Sequence, residues 1–243
     1  MLDPDECCAL SGRRFLWRLA MFDLSYQLLY TTLMAYAALF PVLNPLGNSI
    51  VFNSIAYGLS QDTRKKIAKK IAFNIFFLLI GVLFAGVWVL KIFGIEIPIV
   101  QIGGGAVVAT VAWRIMNKTE DNSQPDPYNL STEARALAMS FFPLTLPMIC
   151  GPGTITVAIT LGANQLKENL LFTVAYYVGL CLGIVLLAIT TYYSYHYAGY
   201  LTKKLGKNGT LVIMKLSAFI SLCIGLTIVW HGVQGLIAYY IPV

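Results

Sequence analysis

Apolar residues in this chain fall in long blocks, not at the alternating spacing of a half-buried strand or the three-and-four spacing of a surface helix. Six blocks stand out, at about 24–59, 71–90, 97–116, 134–163, 170–195 and 211–241. A run of about 18 or more apolar residues crosses a bilayer as a helix. Barrel strands would instead alternate over about ten residues, a pattern the chain lacks. The expectation is an all-α integral membrane protein with six transmembrane helices. Two blocks nevertheless carry helix breakers near the middle. The first holds Phe40-Pro41-Val42-Leu43-Asn44-Pro45-Leu46-Gly47-Asn48, and the fourth holds Phe142-Pro143, Pro147 and Cys150-Gly151-Pro152-Gly153-Thr154. Continuous helix over 24–59 would reach about 54 Å at ~1.5 Å per residue, against a hydrocarbon core about 30 Å thick. The first and fourth helices are therefore expected to be discontinuous. Such breaks survive in lipid only where protein, water or a solute takes up the freed backbone groups.

The two halves echo one another. Phe40-Pro41 with Pro45 recurs as Phe142-Pro143 with Pro147, an offset of 102 residues in each case, and each broken block is followed by two more blocks. Three crossings are an odd number, so the second copy enters the membrane from the opposite side. This predicts a 3+3 inverted repeat, the plan of many secondary transporters, with a site at the repeat interface near the bilayer midplane. The predicted units are an N-terminal extension or interfacial segment at 1–22, a first three-helix repeat at 23–116, a cytoplasmic linker at 117–133 and a second three-helix repeat at 134–243. Residues 1–22 lack a signal-peptide cleavage site. Phe15, Leu16, Trp17, Leu19, Met21 and Phe22 suit an interfacial turn; the favoured alternative is an added extension, with Met21 as the natural start. The linker is polar and holds Pro125 and Pro127, and Ser131-Thr132-Glu133 opens the next helix.

Composition excludes several classes. Of 243 residues, 58% are hydrophobic and 12% charged, against roughly 25% charged in soluble domains. The net charge of +6 is no sign of a nucleic-acid partner, because the cations have a simpler arrangement. Twelve of the seventeen Lys and Arg residues fall on the side shared by the first, third and fifth connections: Arg64, Lys65, Lys66, Lys69, Lys70, Arg114, Lys118, Arg135, Lys203, Lys204, Lys207 and Lys215. The positive-inside rule makes that side cytoplasmic. Both termini then lie on the periplasmic or extracellular side of a multi-pass protein whose constant partner is the lipid bilayer. Cys7, Cys8, Cys150, Cys181 and Cys223 show no paired metal spacing and read as small packing residues. No cofactor is implied, and no His-Glu-x-x-His, paired-Asp or Ser–His arrangement points to an enzyme. Gly103-Gly104-Gly105 lacks the Lys and Ser/Thr of a phosphate loop and suits close helix packing.

The breaks offer chemistry of their own. A fresh half-helix after Gly47 and after Gly153 would present unsatisfied N–H groups and a partial positive charge, suited to a carboxylate. Carbonyls from Phe40 to Leu43 and from Leu146 to Ile149 are expected to lose partners, because Pro41, Pro45 and Pro152 have no N–H. Free carbonyls and Asn44 would then hold an ammonium group. The substrate-binding set expected from this is Asn44, Pro45, Gly47, Asn48, Gly151, Pro152, Gly153 and Thr154, with Asn53, Thr156 and Thr160 nearby. Buried carboxylates or histidines drive many proton-coupled carriers. The blocks contain no such carboxylate away from their ends, and His231 is the one histidine away from an interface, with packing as its default role. The coupling partner is left between a proton, a sodium ion on freed carbonyls, and substrate alone.

Asn44-Pro45-Leu46-Gly47, Phe93-Gly94-Ile95 to Pro98 followed by Gly103-Gly104, Pro143 and Pro147 leading to Gly151-Pro152-Gly153-Thr154-Ile155, and Leu205-Gly206 to Gly209 together resemble the MarC family, the SnatA-like six-transmembrane neutral amino acid transporters. The likeness spans 26–237 and falls on Asn44, Pro45, Gly47, Gly151, Pro152 and Gly153. One departure is Gln101, where relatives often carry Arg. The resemblance implies an inner-membrane carrier of small neutral amino acids such as glycine, alanine or serine, with the discontinuous helices forming the site. The expected function is a secondary transporter working by alternating access. The alternative is a passive channel or exporter for drugs or other small solutes, which would call for a large apolar cavity.

Overall fold

The computed structural model describes residues 4–56, 58–117, 137–163 and 170–240, with side chains from Asp23 onward except at 54, 55, 143, 147, 148, 207 and 240. Every regular element among them is helical: α1 (Pro4–Leu43), α2 (Pro45–Ile55), α3 (Gln61–Ile92), α4 (Ile97–Asn117), the wide-turn segment α5 (Ser140–Ile149), α6 (Pro152–Ala163), α7 (Leu170–His196) and α8 (Ala198–Tyr240). Five stretches of the described residues are long and apolar enough to cross a membrane: Asp23–Asn53 through the α1–α2 junction, Gln61–Ile92, Ile97–Asn117, Leu170–His196 and Asn208–Tyr239. The fourth apolar block is divided at Cys150 and Gly151 into α5 and α6, each too short to cross alone. The chain is an all-α, multi-pass membrane protein. The linker expected at 117–133 lies outside the described residues except for Asn117, which ends α4.

Each helix shows why its sequence folds as it does. Ser60 caps α3, its Oγ accepting from Thr63 N–H at 3.2 Å, and Asp62 complements the positive end of the helix dipole. From there Ile67, Ile71, Ile75, Leu79 and Leu83 form a buried stripe at four-residue spacing. The opposite face, with Phe73, Phe77, Phe84 and Trp88, is exposed to what would be lipid. The buried stripe meets Leu144, Val157, Ala158, Leu180, Ile184 and Leu187 in one core that also takes in Ala35, Leu39 and Leu43 of α1.

Small residues let the helices approach closely, as expected where lipid offers no hydrophobic drive for association. A Cβ at Gly183 of α7 would stand 2.7 Å from Ala35 Cβ of α1, and one at Gly179 would stand 2.8 Å from Thr31 Cβ. Helices α4 and α8 touch backbone to backbone, since a Cβ at Gly105 would lie 2.7 Å from Gly225 O. The packing role expected of the glycine triplet is met by two of its members: Gly105 against α8, and Gly104 beneath the Thr156 side chain of α6.

The irregular segment α5 follows from its prolines. Phe142 (φ −120, ψ 127) and Leu146 (φ −121, ψ 127) are extended because each precedes a proline, whose ring disfavours the helical region for its neighbour. Backbone bonds there widen, with Leu144 N–H donating to Met139 O at 3.2 Å and Cys150 N–H to Thr145 O at 2.8 Å. The Ser140 carbonyl accepts from Thr145 Oγ1 at 2.6 Å and from Asn74 Nδ2 of α3 at 3.4 Å.

Candidate functional site

The α1–α2 junction is a single residue, Asn44, with φ +48. The following Pro45 disfavours right-handed helix at this position, and asparagine is one of the few side chains that tolerates the left-handed region. Tracing each freed backbone group shows how the break is satisfied. Asn44 N–H donates to Phe40 O at 2.9 Å. Pro45 has no N–H to offer Pro41 O, and the Ser221 hydroxyl of α8 lies 2.7 Å from that carbonyl and 2.9 Å from Ser217 O, its one proton shared between the two. Asn44 Oδ1 accepts from Gly47 N–H at 3.0 Å, capping α2. The Leu43 carbonyl accepts from Asn48 Nδ2 at 2.7 Å.

Three sequence expectations change here. Half-helices do not begin after Gly47 and Gly153; α2 opens at Pro45 and α6 at Pro152, which places both glycines in first turns. The carbonyls of Phe40, Pro41 and Leu43 are not left without partners: Asn44 N–H bonds to Phe40 O in the ordinary helical way, Ser221 replaces the N–H that Pro45 lacks at Pro41 O, and Asn48 replaces the Gly47 N–H, which is turned to Asn44 Oδ1, at Leu43 O. Asn44 is partly engaged, because its Oδ1 already accepts from Gly47 N–H, while no hydrogen bond from its NH₂ is seen among the described residues.

At the second break, Thr156 Oγ1 bonds back to Pro152 O at 2.9 Å and Ile155 N–H to Gly151 O at 3.2 Å. The N–H groups of Gly153 and Thr154 stand in the first turn of α6, where no preceding turn supplies a carbonyl. Gly153 is glycine for a steric reason, since a Cβ there would run into Val108 Cγ2 of α4.

The two breaks meet across a cavity of about 130 Å³. It is lined by Val42, Asn44 and Asn48 at the first break, by Ile149, Gly151, Pro152, Gly153 and Thr154 at the second, by Val107, Val108, Val111, Ala112 and Ile115 of α4, and by Ala218 and Ser221 of α8. Of the predicted set, Asn44, Asn48, Gly151, Pro152, Gly153 and Thr154 face this space. Pro45 and Gly47 are buried behind it and do not line it. Gly47 acts through Asn44, whose amide lies where a Cβ at 47 would stand, at 2.5–2.9 Å. Asn53 is engaged elsewhere, accepting from Arg64 Nη1 at 2.9 Å and donating to Thr202 Oγ1 at 3.4 Å. Thr160 accepts from Gln101 Nε2 at 3.3 Å. His231 is exposed on α8 and does not line the cavity, and Asp23, Asp62 and Glu96, the carboxylates among the described side chains, are all exposed.

Sequence reasoning missed Ser221, Val108, Ala112 and Ala218. Ser221 is the one a backbone argument reaches, because Pro41 O needs a donor from another helix once Pro45 is in place. The cavity extends along α4 from Val107 to Ile115, toward the end that carries Arg114.

The model of the MarC family integral membrane proteins matches residues 29–237, which take in both breaks and every helix lining the cavity. The chain belongs to the MarC family. Within it, the chain is 30% identical over 202 residues to the UPF0056 membrane protein YvbG of Bacillus subtilis strain 168, covering 83% of this chain and 93% of that protein. It is 26% identical over 211 residues to the UPF0056 inner membrane protein MarC of Escherichia coli strain UTI89, covering 85% and 96%. The UPF0056 membrane protein PH0760 of Pyrococcus horikoshii is 23% identical over 205 residues, covering 84% and 95%. No solved structure matches the chain.

Proposed function

We propose that this MarC-family protein is a secondary transporter, not an enzyme, that carries small neutral amino acids such as glycine, alanine and serine across the inner membrane by alternating access. The observation that carries this is that polar residues of both breaks, Asn44, Asn48 and Thr154, line one cavity with Ser221 of α8. In this reading the N–H groups of Gly153 and Thr154 at the positive end of α6, together with the Asn44 NH₂, receive the carboxylate. Asn48 Oδ1 and Ser221 Oγ, whose residues line the same cavity, receive the ammonium group. A zwitterion is held at both ends with no charged side chain. The cavity of about 130 Å³ is far below the roughly 300–1,000 Å³ of pockets for drug-sized ligands, which speaks against the drug-exporter alternative.

Helix neighbours support a 3+3 inverted repeat in which α5 and α6 together make the sixth crossing. Helix α1 packs on α7 as α5 and α6 pack on α3, and α2 packs on α8 as α6 packs on α4. Asn53 and Thr160 each stand eight residues beyond the proline that opens their helix, Pro45 or Pro152, and each bonds to one of these neighbours: Asn53 to Thr202 of α8, Thr160 to Gln101 of α4. In this reading they are latches at opposite mouths, Asn53 on the Lys- and Arg-rich side, which the positive-inside rule makes cytoplasmic, and Thr160 on the other. Relatives named as inner membrane proteins support that location.

The test is uptake of labelled glycine and alanine into proteoliposomes, with and without imposed proton or sodium gradients. Saturable uptake of both is expected, and the gradient that accelerates it names the coupling ion. Folded protein that moves neither amino acid under any gradient overturns the proposal.

A further inference from the structure

The cavity is polar where the breaks meet and apolar on the facing wall. Val108 and Ala112 lie four residues apart on one face of α4, and Ala218 faces them from α8; their exposures are 8%, 2% and 0%. Val108 Cγ2 sits against Gly153, where a Cβ at 153 would stand, so this side chain borders the N–H group assigned to the carboxylate. Valine on a helix is nearly confined to one χ1 rotamer, so its methyl groups do not swing aside.

The wall is also fixed from behind. Near Val108, α4 and α8 touch through backbone: a Cβ at Gly105 would lie 2.7 Å from Gly225 O, and one at Gly225 would lie 2.7 Å from Ala109 N. Helices already in backbone contact have no slack to take up by sliding together, and replacing either glycine would force them apart. The space between the wall and the breaks is about 130 Å³.

We infer that Val108, Ala112 and Ala218 form the size filter of the carrier, admitting an amino acid whose side chain is a hydrogen, methyl or hydroxymethyl group and rejecting branched aliphatic ones. The filter rests on the zwitterion site proposed above. It moves selection away from the glycines of the breaks, which are taken up by packing and capping, to the three side chains opposite them. With carboxylate and ammonium held at the breaks, the substituent on the substrate's α-carbon is left to face this wall.

The experiment compares uptake of glycine, alanine and valine in proteoliposomes bearing wild type, Val108→Ala, Ala112→Gly, Ala218→Gly and Ala112→Leu. A methylene in an apolar pocket changes discrimination by about 10- to 200-fold. The valine-to-glycine uptake ratio is expected to rise about tenfold or more in at least one enlarging variant, and the alanine-to-glycine ratio to fall by a similar factor in Ala112→Leu. Each ratio is taken within one variant, so partial loss of folded protein cancels. Wild type that moves glycine while every variant keeps the wild-type ratios overturns the filter and leaves the transport proposal standing. Wild type that moves neither glycine nor alanine overturns both.

Discussion

Asn44 has two separable roles, and replacing it by alanine and by glycine separates them. Its φ of +48 lies in the region that costs about 1–2 kcal/mol for an ordinary L-residue, a cost that asparagine's short polar side chain offsets by local hydrogen bonding. Its Oδ1 caps α2 through Gly47 N–H at 3.0 Å, and losing such a cap to alanine costs ~1 kcal/mol. Asn44→Ala loses both, so a destabilisation of about 2–3 kcal/mol is expected. Asn44→Gly keeps the backbone conformation, and glycine at a cap position costs only a few tenths of a kcal/mol, so less than about 1 kcal/mol is expected. Both variants remove the NH₂ group assigned to the substrate carboxylate. A hydrogen bond to a charged group is worth about 1.5–3 kcal/mol, so uptake of glycine at low concentration should fall roughly ten- to a hundredfold in both. The assays are unfolding of the purified protein in micelles and uptake in proteoliposomes. Glycine and alanine variants of equal stability would show that the left-handed conformation places no demand on residue 44. An Asn44→Gly protein that transports like wild type would remove the Asn44 amide from the substrate site.

Ser221→Ala should destabilise by about 1–3 kcal/mol, because Pro41 O is then a buried acceptor that Pro45 cannot serve; unchanged unfolding would show that water or another group replaces the hydroxyl. Gly153→Ala should cost about 1–3 kcal/mol through its collision with Val108. In the double variant with Val108→Ala most of that cost should disappear, and strictly additive effects would refute the contact as its origin. Thr160→Val removes the acceptor for Gln101, and should raise labelling of a Val111→Cys probe, in a cysteine-free background, by an impermeant maleimide applied from the periplasmic face. Asn53→Ala should raise labelling from the cytoplasmic face instead, and labelling that does not depend on the face would refute the latch assignment.

The spanning elements were legible because lipid imposes a length and a polarity on them. The blocks at 97–116 and 170–195 match α4 and α7 to within a residue, and the block at 211–241 matches the span Asn208–Tyr239 closely. Helix α3 begins ten residues before its apolar block, at Gln61, because its first turns project beyond hydrocarbon and are stabilised by the Ser60 cap. The breaks were legible too, since a missing N–H or a residue before proline is local chemistry. Their register was harder to read. Pro147 echoes Pro45 in sequence yet lies within α5, while Pro152 opens the second half-helix. The 102-residue echo is thus an echo of prolines, and the helices they precede start 107 residues apart, at 45 and 152.

What the sequence could not disclose is which polar groups are already spent. Asn44, Asn48, Gly47 and the carbonyls before Pro45 formed an inventory of donors and acceptors, and any of them suited one end of a zwitterion. The partners that use up part of that inventory come from one turn away, as Asn48 does for Leu43, or from the far end of the chain, as Ser221 does for Pro41 across 180 residues. A buried polar group that has its partner gains little by binding a solute, because the existing bond must first be given up. In the proposed carrier, binding would therefore rest on groups not engaged in this way: the Asn44 NH₂, the Asn48 oxygen and the first-turn N–H groups of α6. In the transport reading proposed above, the carboxylate lies next to Asn44 and the ammonium next to Asn48, the reverse of the polarity expected when every proline-freed carbonyl is counted as open.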